Sequence, residues 1–167
     1  MSTTIYVVMG VAGSGKSVIG AAFARALGVD FVEGDSFHSV RNIERMSSGI
    51  ALTDDNRAEW LRAIALRIRE ARRAGTGLVV ACSALKRSYR DVLRTEAPGL
   101  QFIFLTGQRT LIAERLANRG GHFMPPSLLD SQLATLEEPA LDESAWVCDI
   151  TKPPAEIVAS LVARASA

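Results

Sequence analysis

The sequence predicts an α/β protein, a three-layer fold in which a parallel sheet is flanked by helices. Short β-rich apolar runs alternate with stretches of helical periodicity from one end of the chain to the other. One run, at 77–85, is continuously apolar but for a single serine, as is typical of a strand covered on both faces. A glycine-rich loop, GVAGSGKS at 10–17, stands between the first such run and the first helix.

TIYVVMG (4–10) reads as the first strand and ends in glycine. Ser17 to Leu27 has the small and apolar residues of a buried helix, stopped by Gly28. VDFVEGD (29–35) reads as a second strand closing in acidic residues. The polar stretch EGDSFHSVRNIERMSSG (33–49) fits no ordinary element, because glycines, serines and scattered charges interrupt any long amphipathic pattern. Asp54 or Asp55 is placed to cap a helix in which Trp60, Leu61, Ile64, Ile68 and Ala71 recur at helical spacing. Arg62, Arg69 and Arg73 form its solvated face, and Gly75 ends it. GLVVACSAL (77–85) is the continuous apolar run, followed by a short helix over Ser88–Thr95 and a Pro98-Gly99 turn. QFIFLTG (101–107) is a strand and Thr110–Asn118 a helix. RGGHFMPP (119–126) is a loop by composition. Leu128–Leu136 returns to helix, AWVCDIT (145–151) is the last strand, and Pro154–Ala165 a closing helix with proline at its start.

At 167 residues the chain suits one domain, 1–167, with a full core of its own. Its 19 basic and 18 acidic residues leave a net charge of +1. That balance argues against nucleic acid or an anionic membrane as partner. Of the 19 basic residues only Lys16, Lys86 and Lys152 are lysine, so these three carry more information than the arginines do. Cys82 and Cys148 sit in apolar runs and read as buried free thiols of a reduced compartment. Without a signal peptide, lipidation motif or membrane-length run, the expectation is a cytoplasmic protein.

GVAGSGKS matches G-x-x-x-x-G-K-[ST] in the strand–loop–helix setting that motif requires. Gly10, Gly13 and Gly15 let the backbone turn tightly, so that the loop, Ala12 and Ser14 included, aims its N–H groups at phosphate oxygens. Lys16 reaches the β and γ phosphates, and the Ser17 hydroxyl is a ligand for Mg²⁺. This predicts ATP or a related triphosphate as donor. No N-K-x-D string marks a GTPase, and at this length a small-molecule kinase leads.

The acceptor should lie beyond the same carboxyl edge of the sheet. Asp35, at the end of the second strand, would take the proton of an attacking hydroxyl or anchor a Mg²⁺-bound water. An N-cap carboxylate is the plainer alternative. His38, Arg41, Asn42 and Arg45 follow at roughly helical spacing and would suit a polyhydroxylated, anionic acceptor. Lys86 and Arg87 end the third strand, as a second positive source or simply as an exposed basic turn. RLANRGGHFMPPSLLDSQLATLEEP (115–139) reads as a lid, with Arg115 and Arg119 facing the transferring group and His122 and Phe123 in the loop.

Taken together, the chain resembles the gluconate kinases, small P-loop kinases related to shikimate and nucleoside monophosphate kinases. Beyond the generic phosphate loop, the resemblance rests on GDSFHSVRNIERMSSGIALTDDNRAEWL (34–61), CSALKRSYRDVLR (82–94) and RGGHFMPPSLLDSQLATLEEP (119–139). It implies a P-loop kinase fold with a helical lid, and ATP- and Mg²⁺-dependent phosphorylation of D-gluconate at the 6-hydroxyl. It implies Asp35 near the acceptor hydroxyl and His38, Arg41 and Arg45 in the substrate pocket. Lys86 and Arg87 would stand beside the transfer site, Arg115 and Arg119 on the ATP side, and His122 in the lid. Pro153 would face adenine, and the molecule would be a homodimer.

Three departures stand out: Glu59 where proline precedes the tryptophan, Arg45 where lysine is usual, and the paired Pro125-Pro126. None removes a catalytic group. A shikimate-type kinase should show a glycine-rich substrate loop at the third strand, where this chain has ACSALKR. A non-catalytic ATP-binding module would have no need of Lys16, Ser17 and Asp35 together.

Overall fold

The structure is a computed structural model and describes residues 3–119 and 125–167. Five strands form one parallel sheet: β1 (Ile5–Met9), β2 (Asp30–Glu33), β3 (Leu78–Ala81), β4 (Gln101–Thr106) and β5 (Trp146–Asp149). Their spatial order is β2-β3-β1-β4-β5, so the strand that feeds the glycine-rich loop is central. Val7 of β1 lies opposite Val80 of β3 on one side and Phe102 of β4 on the other. Val7, Val8, Met9, Val79 and Val80 are fully buried. Each such side chain contributes about 1.5–3 kcal/mol relative to exposure.

The helices are α1 (Lys16–Leu27), α2 (Val40–Ser47), α3 (Asp54–Ala74), α4 (Arg87–Glu96), α5 (Arg109–Ala117), α6 (Pro126–Thr135) and α7 (Pro154–Ala165). Two helix pairs cover the sheet, α1 with α7 and α3 with α4. The second pair is tied by Arg69 Nε, 2.8 Å from a Glu96 carboxylate oxygen, so Arg69 bridges two helices while its side chain stays partly exposed.

Local chemistry accounts for the boundaries. The cap of α3 is Thr53, one residue before the aspartates expected there. Its hydroxyl accepts the Asn56 N–H, and Asn56 Oδ1 accepts the Thr53 N–H in return. Asp54 and Asp55 then occupy the first turn, where the helix dipole favours acid. The polar stretch 33–49 does hold regular structure: a 3₁₀ turn over Gly34–Phe37, then α2, capped by the Ser39 side chain on the Asn42 N–H. Helix α6 starts at Pro126, inside the segment expected to be loop, because proline at a first helical position gives up no hydrogen bond. Cys82 is buried and free, but Cys148, on edge strand β5, is only half covered.

Two features set the edge of the sheet where the strands end. A Cβ built on Gly34 would stand 2.3 Å from the Ala81 carbonyl oxygen, so the chain can pass β3 there only as glycine. Beyond β3, Ala84 has φ 44, a left-handed conformation uncommon for alanine. Arg90, fully buried, holds that turn by donating to the carbonyls of Ala84 at 2.9 Å and Leu85 at 3.2 Å. Its charge is matched by Glu143, at 2.7 Å and itself 1% exposed.

Candidate active site

The phosphate loop continues from β1 and leads into α1, with Gly15 in the left-handed N-cap position. Gly13, at φ 82, packs so closely on α5 that an added Cβ would lie 2.7 Å from Leu116 Cγ. The Gly10 N–H donates to Ser83 O, which fastens the loop to the end of β3. The Ser14 hydroxyl is buried and has no hydrogen-bond partner among the described residues.

A cleft of about 650 Å³ opens over this loop at the carboxyl edge of the sheet. It brings Ala12, Gly13, Gly15, Lys16 and Ser17 together with Arg115 and Arg119. Lys16 Nζ donates to Val11 O at 3.1 Å. Burial lowers the Lys16 pKa, against which Asp35 is the strongest of the charges pulling it up. Arg115 donates to Ile150 O at 2.6 Å, which ties it to the turn after β5. Helix α5 ends at Ala117, so Arg119 reaches the cleft from just beyond the helix and not from its face.

The same cleft is lined by Glu33, Asp35, His38, Arg57 and Trp60. His38 stacks on Trp60 with ring centroids 4.2 Å apart and planes 14° from parallel. Trp60 Nε1 donates to Gly34 O at 2.8 Å, so the ring is fixed to the backbone beside Asp35. Burial lowers the His38 pKa, with Asp35 opposing, which favours the neutral imidazole.

Two of these residues were not singled out from the sequence. Glu33 meets Ser17 directly, its Oε2 accepting the hydroxyl hydrogen bond. Arg57 is 9% exposed, donates to the Tyr89 hydroxyl at 2.9 Å, and has no carboxylate in ion-pair range among the described residues. Its signal was present in the spacing. Arg57 precedes Trp60, Leu61 and Ile64 by three, four and seven positions, so an arginine lies in the buried stripe of α3. Gln132 carries the same signal between Leu128, Leu129 and Leu133 on α6. It lines the cleft, and its Oε1 accepts the Ala12 N–H at 2.7 Å.

Other expected residues lie elsewhere. Lys86 is drawn to Asp54, at 3.1 and 3.3 Å, and Arg87 to Asp142, at 2.9 and 2.6 Å; neither lines the cleft. The Tyr89 and Lys86 hydrogen bonds hold Asp54 below the usual carboxylate range, so this acid keeps its charge for them. Arg41 and Arg45 line a second hollow of about 450 Å³ that shares Trp60 with the cleft and includes Asp55 and Glu59. Helix α2 turns them to that side, and Arg45 donates to Asn42 there. Pro153 caps α7 in the turn after β5, outside the cleft lining. His122 lies outside the described residues.

Ser17, Glu33 and Asp35 supply only hard oxygen donors, the type Mg²⁺ takes. Such sites usually have few protein ligands and leave the remaining positions to phosphate and water. Among the described residues no cluster of three or more His, Cys, Asp or Glu forms a closed metal cage, and none is needed for that ion.

Residues 5–139 match the family model of an AAA domain. The chain is 44% identical to the thermoresistant gluconokinase of Escherichia coli (strain K12), over 97% of this chain and 96% of that protein. It is 46% identical to the gluconokinase of Gluconobacter oxydans (strain 621H), over 93% and 88% respectively. The crystal structure of a gluconokinase from Sinorhizobium meliloti 1021 superposes with a TM-score of 0.89 at 50% identity, covering 98% of this chain and 92% of that one.

Proposed function

The chain belongs to the gluconokinase family of P-loop kinases, and from that premise we infer that it phosphorylates D-gluconate with ATP, at the 6-hydroxyl. The observation that carries the substrate is Arg57. A buried guanidinium without a carboxylate partner is costly to keep, and a cleft that presents one suits an anionic ligand. Gluconate brings a carboxylate to pair with it, and hydroxyls for His38 and Asp35.

In this reading the phosphate loop and Lys16 hold the triphosphate, with Arg115 and Arg119 on the same side. The gluconate 6-oxygen attacks the γ-phosphorus as the bond to the β–γ bridging oxygen breaks. Asp35 accepts the hydroxyl proton, and ADP departs with its β-phosphate charge still held by the loop. Ser17, Glu33 and Asp35 are the residues that would hold Mg²⁺, which supplies charge neutralisation along the phosphates. The segment 115–139 serves as the lid and contributes Arg115, Arg119, Ser131 and Gln132 to the cleft. Pro153 is assigned to the adenine side. Lys86 and Arg87 act on the transfer site only if their ion pairs with Asp54 and Asp142 open.

A cytoplasmic homodimer completes the proposal. In support, no described helix is long and apolar enough to cross a membrane, and exposed Val40, Ile43 and Ile50 are apolar side chains available to a second subunit. Light scattering checks the assembly. The function itself is tested by a coupled assay with ATP, Mg²⁺ and a panel of sugar acids together with shikimate. Turnover should be confined to gluconate and close analogues. Folded, ATP-binding protein with no gluconate turnover would overturn the proposal, and preference for shikimate would redirect it.

A further inference from the structure

One hydrogen bond spans from α6 to the phosphate loop. Gln132 Oε1 accepts the Ala12 N–H at 2.7 Å. Because a backbone N–H can only donate, the facing atom has to be the amide oxygen, and this settles which way the side chain is turned. The Nε2 group is thereby left with its two N–H donors, and they make no hydrogen bond among the described residues. Gln132 is half-buried, next to the fully covered Leu128 and Leu129, so the helix that carries it is well seated. The same cleft contains Lys16, Asp35 and Arg57. Ala12 stands three residues ahead of Gly15, the N-cap of α1, so its amide is given to Gln132 while the amides at the helix start remain for phosphate.

We propose that Gln132 is a catalytic residue: anchored through the Ala12 N–H, its Nε2 donates to a non-bridging oxygen of the γ-phosphoryl group during transfer. The inference rests on the kinase reading given above. A donor fixed in advance beside a group whose charge redistributes in the transition state stabilises that state more than the bound substrates. Two anchors hold this donor in place, the packed base of α6 and the loop amide. No atom is exchanged with Gln132. The phosphorus–oxygen bonds that break and form, and the proton passed to Asp35, are those already described.

The test compares wild type with Gln132→Met and Gln132→Glu for gluconate phosphorylation, for ATP hydrolysis without gluconate, and for thermal stability. Gln132→Met should lower kcat by about 100-fold, the range found when one preorganised transition-state donor is removed. Both KM values should stay within about threefold, and gluconate-independent hydrolysis should fall in parallel. Gln132→Glu still offers an acceptor to Ala12 but has lost the donors at neutral pH. Its kcat should rise as the pH falls and the carboxyl becomes a neutral O–H donor, a gain that wild type does not show.

Wild-type kcat in Gln132→Met would overturn the inference. So would a raised gluconate KM at unchanged kcat, which would make Gln132 a contact to the bound acceptor. Full activity of Gln132→Glu at neutral pH would leave only a strut between α6 and the loop. Wild type inactive on gluconate would instead refute the kinase reading, and the hydrolysis measurement would still report on Gln132 separately.

Discussion

Lys16 and Arg57 line one cleft, and neither has an anionic partner within ion-pair range among the described residues. In the proposed function each marks an end of the ligand pair, phosphate at Lys16 and carboxylate at Arg57. Arg57→Met should raise the KM for gluconate about 10- to 100-fold, from the roughly 1.5–3 kcal/mol of a hydrogen bond to a charged group, and leave the KM for ATP nearly unchanged. Steady-state kinetics with each substrate varied in turn checks it, and an equal rise in both constants would remove the carboxylate role. Asp35→Asn should lower kcat by about 10²- to 10⁴-fold while ATP still binds, as expected for loss of a general base. Single-turnover and ATP-binding measurements on the same variant separate the two. The place of Asp35 in the cleft was legible from the acidic close of the second apolar run, whereas Glu33, on which β2 ends, was passed over in the same run. Arg57 was not legible, because it is one of many arginines in this chain and only its register on α3 distinguishes it.

At the scale of elements, the sheet and its helices were legible from periodicity, and the ends were not. The apolar run 77–85 outlasts β3, which stops at Ala81, because Cys82, Ala84 and Leu85 are buried as loop residues beneath the cleft. Cys82 still donates its N–H to Val8 O of β1 at 3.0 Å, and beyond it burial alone dictates the hydrophobicity of Ala84 and Leu85. Helix α2 is only eight residues long and rests on the Ser39 cap more than on an apolar stripe, so its pattern was too short to read. The cap of α3 is a comparable case with a measurable consequence. Thr53→Ala removes half of a reciprocal capping pair and should cost about 1 kcal/mol of stability. Urea denaturation measures it, and Thr53→Ser should recover most of the loss. Since α3 carries Arg57 and Trp60 near its start, the alanine variant should also bind gluconate more weakly.

For the molecule as a whole, the buried pair Arg90–Glu143 joins α4 to the chain that returns towards β5, and Arg94 adds a second donor to the same carboxylate. Burial alone would push the Glu143 carboxyl up. The hydrogen bonds from Arg90 and Arg94 and from the Ala140 N–H outweigh it and bring the pKa from 4.5 down to about 2. A depressed carboxyl pKa stabilises the fold above the unfolded value, and that contribution drains away as the pH falls from about 4.5 towards 2. Thermal melts over that range should show a steep acid limb in wild type and a shallower one in Glu143→Gln. The variant should also be less stable at neutral pH, where it leaves Arg90 buried without its counter-charge.

The close passage of Gly34 over Ala81 has a consequence for what this scaffold can become. The gap there is narrower than one methyl group, so the backbone between Glu33 and Asp35 is held against the end of β3. Redesign towards another sugar acid therefore cannot proceed by sliding this loop. Specificity on this frame is adjustable at the neighbouring cleft side chains, above all His38 and Arg57, while the backbone of Asp35 stays where the packing of Gly34 on Ala81 holds it.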